Sequence, residues 1–318
     1  MMIVLKLAAT NMGPVTLHVK GLGARPVVFR GGRNLVRYCL TKGQVVVLIY
    51  DGTSWVMANE ATVPSVPPVV YVRPDGNDAN SGDANTPGEA LQTISAAIDK
   101  LESYVLPPAG GIVQLGIPGT YASVRRAFVG TISIIGDEAN PEYYVISNSP
   151  GDYTPVALIG GTVTMRGVHL KNVTVNAWVV VFSINLGGTA RCYNMILETT
   201  ENGVYSFIAD HASYLEIGTG CVLRSASLGA FLAQNGSQIV LSGGGTITID
   251  NDATYSIACA TAQTGSCITT SAGPISGNAT GARYYCATNG VIWVNGDQNF
   301  FPGTIPGTAD TNTGGRYA

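Results

Sequence analysis

The sequence predicts an all-β fold: a single-stranded parallel β-helix with one capping α-helix, preceded by a small N-terminal β module. Three observations predict it. Glycine supplies 40 of 318 residues and charged residues only 12%, and Thr, Ser, Asn and Val stand where a helical protein would carry Lys, Glu and Leu. Short apolar strands recur, with starts at Ala190, Ser213 and Ser237, each followed by a second and a third strand. Three strands in roughly 24 residues is one coil of a solenoid, in which only inward side chains are constrained. Finally, one segment alone has helical periodicity. A β-sandwich also has closely spaced strands, but it does not favour one strand triplet at a near-fixed period.

Residues 1–60 form the N-terminal module. Val15, Leu17 and Val19 alternate with Thr16, His18 and Lys20, and Val45–Tyr50 meets Trp55–Met57 across Asp51-Gly52-Thr53, a strand and a hairpin. Residues 61–68, with Pro64, Pro67 and Pro68, cannot continue a sheet interior and form a stiff linker. The β-helix is expected over 69–290. Thr86-Pro87-Gly88-Glu89 has the form of a capping box, and Leu91, Ile94, Ile98 and Leu101 form one apolar stripe, which places a capping helix near 87–105. Cys221–Leu223 and Thr246–Ile249 read as second strands, Ala230–Ala233 and Tyr255–Cys259 as third strands, and Val291–Val294 as a further first strand. Residues 291–318 are expected to form a C-terminal tip that holds subunits together.

Lys plus Arg number 17 and Asp plus Glu 20, for a net charge of −3, a balance that argues against a nucleic-acid-binding surface. No apolar run reaches the ~18 residues of a membrane span. Met1–Thr10 is interrupted by Lys6 and makes a poor signal peptide, so assembly inside a cell is expected. Six cysteines without a CxxC pair read as buried free thiols in preference to a disulfide framework. His18, His169 and His211 are the only histidines, too scattered for the usual zinc spacing. Asp75–Asp83 is rich in oxygen ligands, but an EF-hand template begun at Asp78 fails at Gly82 and Asp83, so hydrogen-bonded turns are expected there. GxSxG, P-loop and dinucleotide motifs do not occur, and no cofactor is expected.

Tyr71–Asp83 followed by Thr86-Pro87 and Leu91–Ile98 resembles the entry and capping helix of right-handed parallel β-helix proteins, including phage tailspikes and secreted polysaccharide lyases. Ala8–Pro26 with Tyr50–Trp55 is similar to small β modules of phage and prophage tail fibres. Gly281–Tyr285, Asn289-Gly290 and Phe301–Thr308 resemble the C-terminal tail of such fibre and spike proteins. The resemblance implies a homotrimeric virion protein of the tail, joined to other tail or baseplate proteins through its N-terminal module and binding a bacterial cell-surface glycan or other host receptor. A tail adaptor without a receptor is a further possibility of the same family.

Tailspikes of this kind often cleave the glycan they bind, which needs two carboxyl groups ~5–9.5 Å apart. With the observed offsets, Glu216 faces Tyr193 and Val240, Asp210 faces Gly187 and Gln234, and Glu201 lands on Arg224. None of these is an acid pair, so no catalytic residue is assigned, and a depolymerase remains the alternative function. Sugars present an apolar face to aromatic rings. Tyr205, Asp210, His211 and Tyr214 cluster around one coil junction as the candidate receptor-binding platform, although both tyrosines also suit a structural ladder. Trp293, Phe300, Phe301 and Tyr317 are the candidate trimer contacts.

Overall fold

The computed structural model describes residues 1–318 except 31, 33, 36–38, 60–66, 105, 150–151, 174–178, 200–203, 225–227, 243–246 and 272. Most of the proline-rich linker, Glu201 and Thr246 therefore lie outside the described residues. The chain divides into two compact units, residues 1–69 with 99–112, and residues 70–98 with 113–318. The sequence boundary at 61–68 kept 99–112 with the solenoid; the division observed assigns them to the first unit.

In the first unit, β1 (Met2–Lys6), β2 (Val15–Val19), β3 (Gly23–Val28), β4 (Val45–Tyr50) and β5 (Trp55–Met57) form one sheet in the order β1-β4-β5-β3-β2. The β4–β5 turn is held by Asp51, whose Oδ1 accepts from the backbone N–H of Thr53 and of Ser54 at 2.8 and 2.7 Å. Trp55, Leu35, Cys39, Val46 and Leu48 are buried together on one face. Alternation along the strands therefore puts a single row inward.

The second unit is a parallel β-solenoid. Among the described residues its three sheets have ten, seven and eight strands. The first sheet runs from Val69–Val72 to Arg316–Tyr317. Ile132, Val163, Ala190, Leu215, Ile239, Ile268 and Ile292 follow one another in register along it and are buried. Burying such an aliphatic side chain is worth ~1.5–3 kcal/mol, and stacking coil on coil removes both neighbours of each strand from water. Along that row successive coils take between 24 residues, as from Leu215 to Ile239, and 31, as from Ile132 to Val163.

That variation corrects two sequence expectations. Ala190 pairs with Leu215, two residues beyond the Ser213 expected from a uniform repeat. Tyr255 ends a second-sheet strand, Thr248–Tyr255, and the third strand of that coil is Ala260–Ala262. The helix is also shorter than predicted. Thr86–Glu89 forms a turn in which the Thr86 carbonyl accepts from the N–H of Glu89 and Ala90, and the helix itself is Ile94–Glu102. Thr93 caps it: its Oγ1 accepts from the Ala96 N–H at 3.1 Å. Asp78 fixes the entry by accepting from the Gln92 and Thr93 N–H groups, both at 2.8 Å, and the 75–83 stretch forms a hydrogen-bonded turn in which Asn77 Oδ1 accepts from the Ala79 N–H at 2.9 Å.

Residues 291–318 prove to be solenoid, not a separate tip. Val291–Trp293 and Arg316–Tyr317 extend the first sheet, and Thr308–Ala309 extends the third. Inside, Phe182, Phe207 and Phe231 stack in register, with ring centroids 5.9 and 6.3 Å apart. The next position in that row is Ala260. Phe301 stands 6.3 Å from Phe231 and continues the aromatic column that the small residue interrupts.

The corner entering the first sheet repeats in four successive coils from residue 186 onward. Leu186, His211, Asn235 and Thr264 adopt φ of 53, 53, 54 and 56°, and the next residue is Gly187, Ala212, Gly236 or Gly265 with φ of 74, 58, 76 or 72°. Two consecutive left-handed residues turn the chain sharply, and glycine does this at least cost. The turns stack through the Gly187 N–H to the His211 carbonyl at 2.9 Å and the Gly236 N–H to the Thr264 carbonyl at 3.0 Å.

Candidate functional site

Outward side chains of the third sheet align by the same register. Ile208 pairs with Leu232, Leu232 with Thr261, and Thr261 with Tyr285. Together with Tyr205, Ile257, Gln234 and Gln263 they line a groove of about 420 Å³. Its rim is an amide ladder. Gln263 Nε2 donates to Gln234 Oε1 at 3.0 Å, and Gln234 Nε2 donates to Asp210 Oδ2 at 3.0 Å. The lining therefore presents aliphatic surface, two phenol rings, a hydroxyl and two carboxamides, without a charged group. Such a surface can pack against the C–H face of a pyranose ring while amides and hydroxyls exchange hydrogen bonds with its hydroxyls.

The four residues of the expected platform do not converge there. Tyr205 lines the groove, and its burial raises the phenol pKa. Asp210 sits behind the rim, its oxygens occupied by the His211 N–H at 2.7 Å, Gln234, Asn235 Nδ2 at 2.7 Å and His211 Nδ1 at 3.1 Å. It holds the corner. His211 is exposed on that turn. Tyr214 belongs to the first sheet, where burial and then the Glu216 carboxylate raise its pKa. The sequence missed Ile208, Leu232, Gln234, Ile257, Thr261, Gln263 and Tyr285. Only an exact register, with steps of 24 and 29 residues between Ile208, Leu232 and Thr261, aligns them.

Of the trimer candidates, Phe300 and Phe301 are buried within the single chain, with centroids 4.9 Å apart. Tyr317 stacks on Tyr284 at 3.6 Å, and its hydroxyl donates to the Asp297 carbonyl at 2.5 Å. Phe300 and Phe301 are spent on the core of the last coils, which corrects their assignment as contacts to other subunits; Tyr317 is half-buried on the last strand. Trp293, 53% exposed, faces outward.

The carboxylates expected to lack acid partners are held by cations and hydroxyls. Glu216 pairs in register with Arg191 and Val240, not with Tyr193, because the coil before it takes 25 residues from Ala190 to Leu215. Its oxygens meet Arg191 Nε at 3.3 Å, the Tyr193 hydroxyl at 3.1 Å and Ser242 Oγ at 2.9 Å. On the second sheet, Arg224 pairs with Glu198, which also meets Lys171 at 2.9 Å and His169 at 3.1 Å. Burial opposes ionisation of Glu198, but the Lys171 hydrogen bond and the surrounding positive charges hold its pKa below the ordinary carboxylate value.

None of the six cysteines, all of them among the described residues, forms a disulfide, and burial raises the thiol pKa of Cys221 and of Cys286 to about 12. Thiols this far from ionisation are inert packing groups. Among the described residues no three His, Cys, Asp or Glu side chains are grouped to hold a metal ion, and no helix is long and apolar enough to cross a membrane. No family model, curated protein or solved structure matches the chain.

Proposed function

We propose that the chain is a subunit of a phage tail fibre or short tailspike, a homotrimer in the virion tail whose N-terminal module joins other tail or baseplate proteins. Its solenoid binds a bacterial cell-surface glycan. The observation that carries this reading is the uncharged, amide-rimmed groove on the outer face of the third sheet, on a parallel solenoid whose three family-like segments occur in the expected order. The eight lining residues offer rings and amides for a sugar, and none of them is the carboxylic acid that glycoside hydrolysis uses in pairs. Binding without cleavage is therefore the reading preferred over a depolymerase.

The test is binding of purified chain to host capsular polysaccharide and lipopolysaccharide, compared with Tyr285→Ala and Gln263→Ala. We expect about ten-fold or greater loss for Tyr285→Ala, the ~1.4 kcal/mol that one ring–sugar contact is asked to supply. Unchanged affinity in both variants would remove the groove from the reading, and release of oligosaccharide would turn the binder into an enzyme.

A further inference from the structure

Four arginines of the solenoid are spent on acids: Arg73, Arg166, Arg191 and Arg224 each meet a carboxylate, at 2.8, 3.5, 3.3 and 3.8 Å. Arg125 and Arg316 stand exposed, where water serves them. Arg283 is different. It is half-buried, and among the described residues its guanidinium meets neither an acid nor a hydrogen-bond acceptor. A guanidinium has five N–H donors and no other way to satisfy them than a partner. Arg283 lines a pocket of about 450 Å³, separate in its lining from the third-sheet groove.

The chain builds this pocket at the edge of the second sheet. Ser276–Gly281 is the end strand of that sheet, and residues 299–305 are tied to it twice: the Ile275 N–H donates to the Phe300 carbonyl at 3.0 Å, and the Ile305 N–H donates to the Gly281 carbonyl at 2.9 Å. The pocket opens between the ties. Gly303 permits the close approach at one end, since a Cβ there would stand 2.8 Å from the Gly281 carbonyl oxygen and 3.0 Å from Arg283 Cγ. Thr304 Oγ1 accepts from the Gly281 N–H at 3.1 Å, which leaves its own O–H to donate. Asn278 and Asn299 add carboxamides, and none of the lining residues is an acid. Asp297, the acid beside this segment in the chain, accepts from the Asn299 N–H at 2.8 Å. Neutral donors therefore surround one positive charge.

We infer that this pocket binds the carboxylate of an acidic sugar, carried on the same glycan that the third-sheet groove takes. The inference deepens the glycan reading above and rests on it for the source of the ligand. A guanidinium forks onto the two oxygens of one carboxylate, and a single cation among neutral donors matches that one charge better than the nearly two charges of a phosphate. Continuity with the groove points to the glycan. Arg283 lines the pocket and Tyr285 the groove, and their Cα atoms stand at most ~7 Å apart, with Tyr284 buried between them against Tyr317. Neighbouring sugars of one chain span that distance, one ring on Tyr285 and the next sugar's carboxylate on Arg283.

The experiment titrates the full chain, and its Arg283→Gln, Arg283→Lys and Tyr285→Ala variants, by calorimetry with oligogalacturonate, oligosialate, the carboxyl-reduced form of each, and inorganic phosphate. Arg283 makes no side-chain bond within the chain, so far-UV circular dichroism of its variants should match the parent. The parent is expected to bind at least one acidic glycan about ten-fold or more tighter than its reduced form, Arg283→Gln to erase that preference and Arg283→Lys to keep part of it. Tyr285→Ala should weaken the acidic and the reduced forms alike. Equal affinity of the parent for acidic and reduced forms, a preference that survives Arg283→Gln, or no binding of either acidic glycan overturns the carboxylate site. The glycan reading still stands in each case if host polysaccharide binds through Tyr285, and it falls only if host polysaccharide fails as well. Phosphate bound through Arg283 where both acidic glycans fail makes the pocket a phosphate site and also overturns the inference.

Discussion

The N-terminal sheet and the solenoid bury β-strands in different ways, and the difference locates the unfinished surfaces of the molecule. The sheet pairs its strands mostly antiparallel, buries one face around Trp55, and leaves Met2, Val4 and Ile49 open on the other. In the solenoid the described strands stack parallel from coil to coil, so its inward rows form one continuous core and its outward rows carry ion pairs and hydroxyls. An outward row that is neither charged nor fully polar then stands out, and the third-sheet groove is such a row.

The strongest way to break the comparison is to open each core separately. Phe207 lies between Phe182 and Phe231, and Phe207→Ala should cost ~3–5 kcal/mol because stacked coils on both sides keep the cavity from collapsing. Trp55→Ala should cost a similar ~3–5 kcal/mol in the first unit. With thermal unfolding followed by Trp fluorescence and far-UV circular dichroism, Phe207→Ala should lower the transition of the solenoid and spare that of the N-terminal sheet, with Trp55→Ala doing the reverse. One merged transition shifted equally by both would show that the two units unfold as a single cooperative block.

The second prediction concerns pH and the solenoid alone. His169 is buried against Glu198, with Lys171 and Arg224 on the same carboxylate. Desolvation lowers its pKa below the ordinary 6.5; the Glu198 charge opposes this, and Arg224 and Lys171 add to it. A base whose pKa is depressed by folding takes up protons first in the unfolded chain. Stability from this group is therefore complete above pH 6.5 and is lost as pH falls below it toward the folded value. Glu198, also depressed, acts only near and below pH 4.5. Urea midpoints of the solenoid transition should fall between pH 7.5 and 5.5 by less in His169→Gln than in the parent. An equal fall in both would assign the loss to other groups.

How much of this was legible in the sequence depends on the kind of information each feature needs. Strand class and solenoid architecture needed only a recurrent apolar pattern, and Leu215, Leu223 and Phe231 supply it. Register needed an exact coil length, and lengths from 24 to 31 residues along the first-sheet row defeat a single offset. That error moved Ala190 by two residues and hid both the Glu198–Arg224 pair and the groove, whose residues share a site only through register. A usable signal was present: Gly187-Gly188, Ala212-Ser213, Gly236-Ser237 and Gly265-Ser266 each stand just before a first-sheet strand. The aromatics near the C-terminus looked like contacts because a solenoid was expected to end at 290, whereas Phe300 and Phe301 fill its last coils.

The smallest expected effect sharpens the contrast between repeated and local turns. At the second left-handed position of the repeated corner, Gly187, Gly236 and Gly265 stand in line with Ala212, whose φ is 58°. An alanine there bears a Cβ clash that glycine avoids, at ~1–2 kcal/mol for a left-handed residue. Replacing it by glycine also loosens the unfolded chain, which returns ~0.4–1 kcal/mol. The difference predicts that Ala212→Gly stabilises the solenoid by about 0.5–1 kcal/mol. The change touches no side-chain contact of the corner, since the Ala212 N–H still donates to the Asn235 carbonyl at 2.9 Å. Denaturant unfolding should show a higher midpoint with the slope unchanged. Gly236→Ala, which creates the same strain one coil later, should lower the midpoint by a comparable amount. If both changes destabilise, the stacked turn at 212 holds its alanine without strain, and the corners are not equivalent from coil to coil.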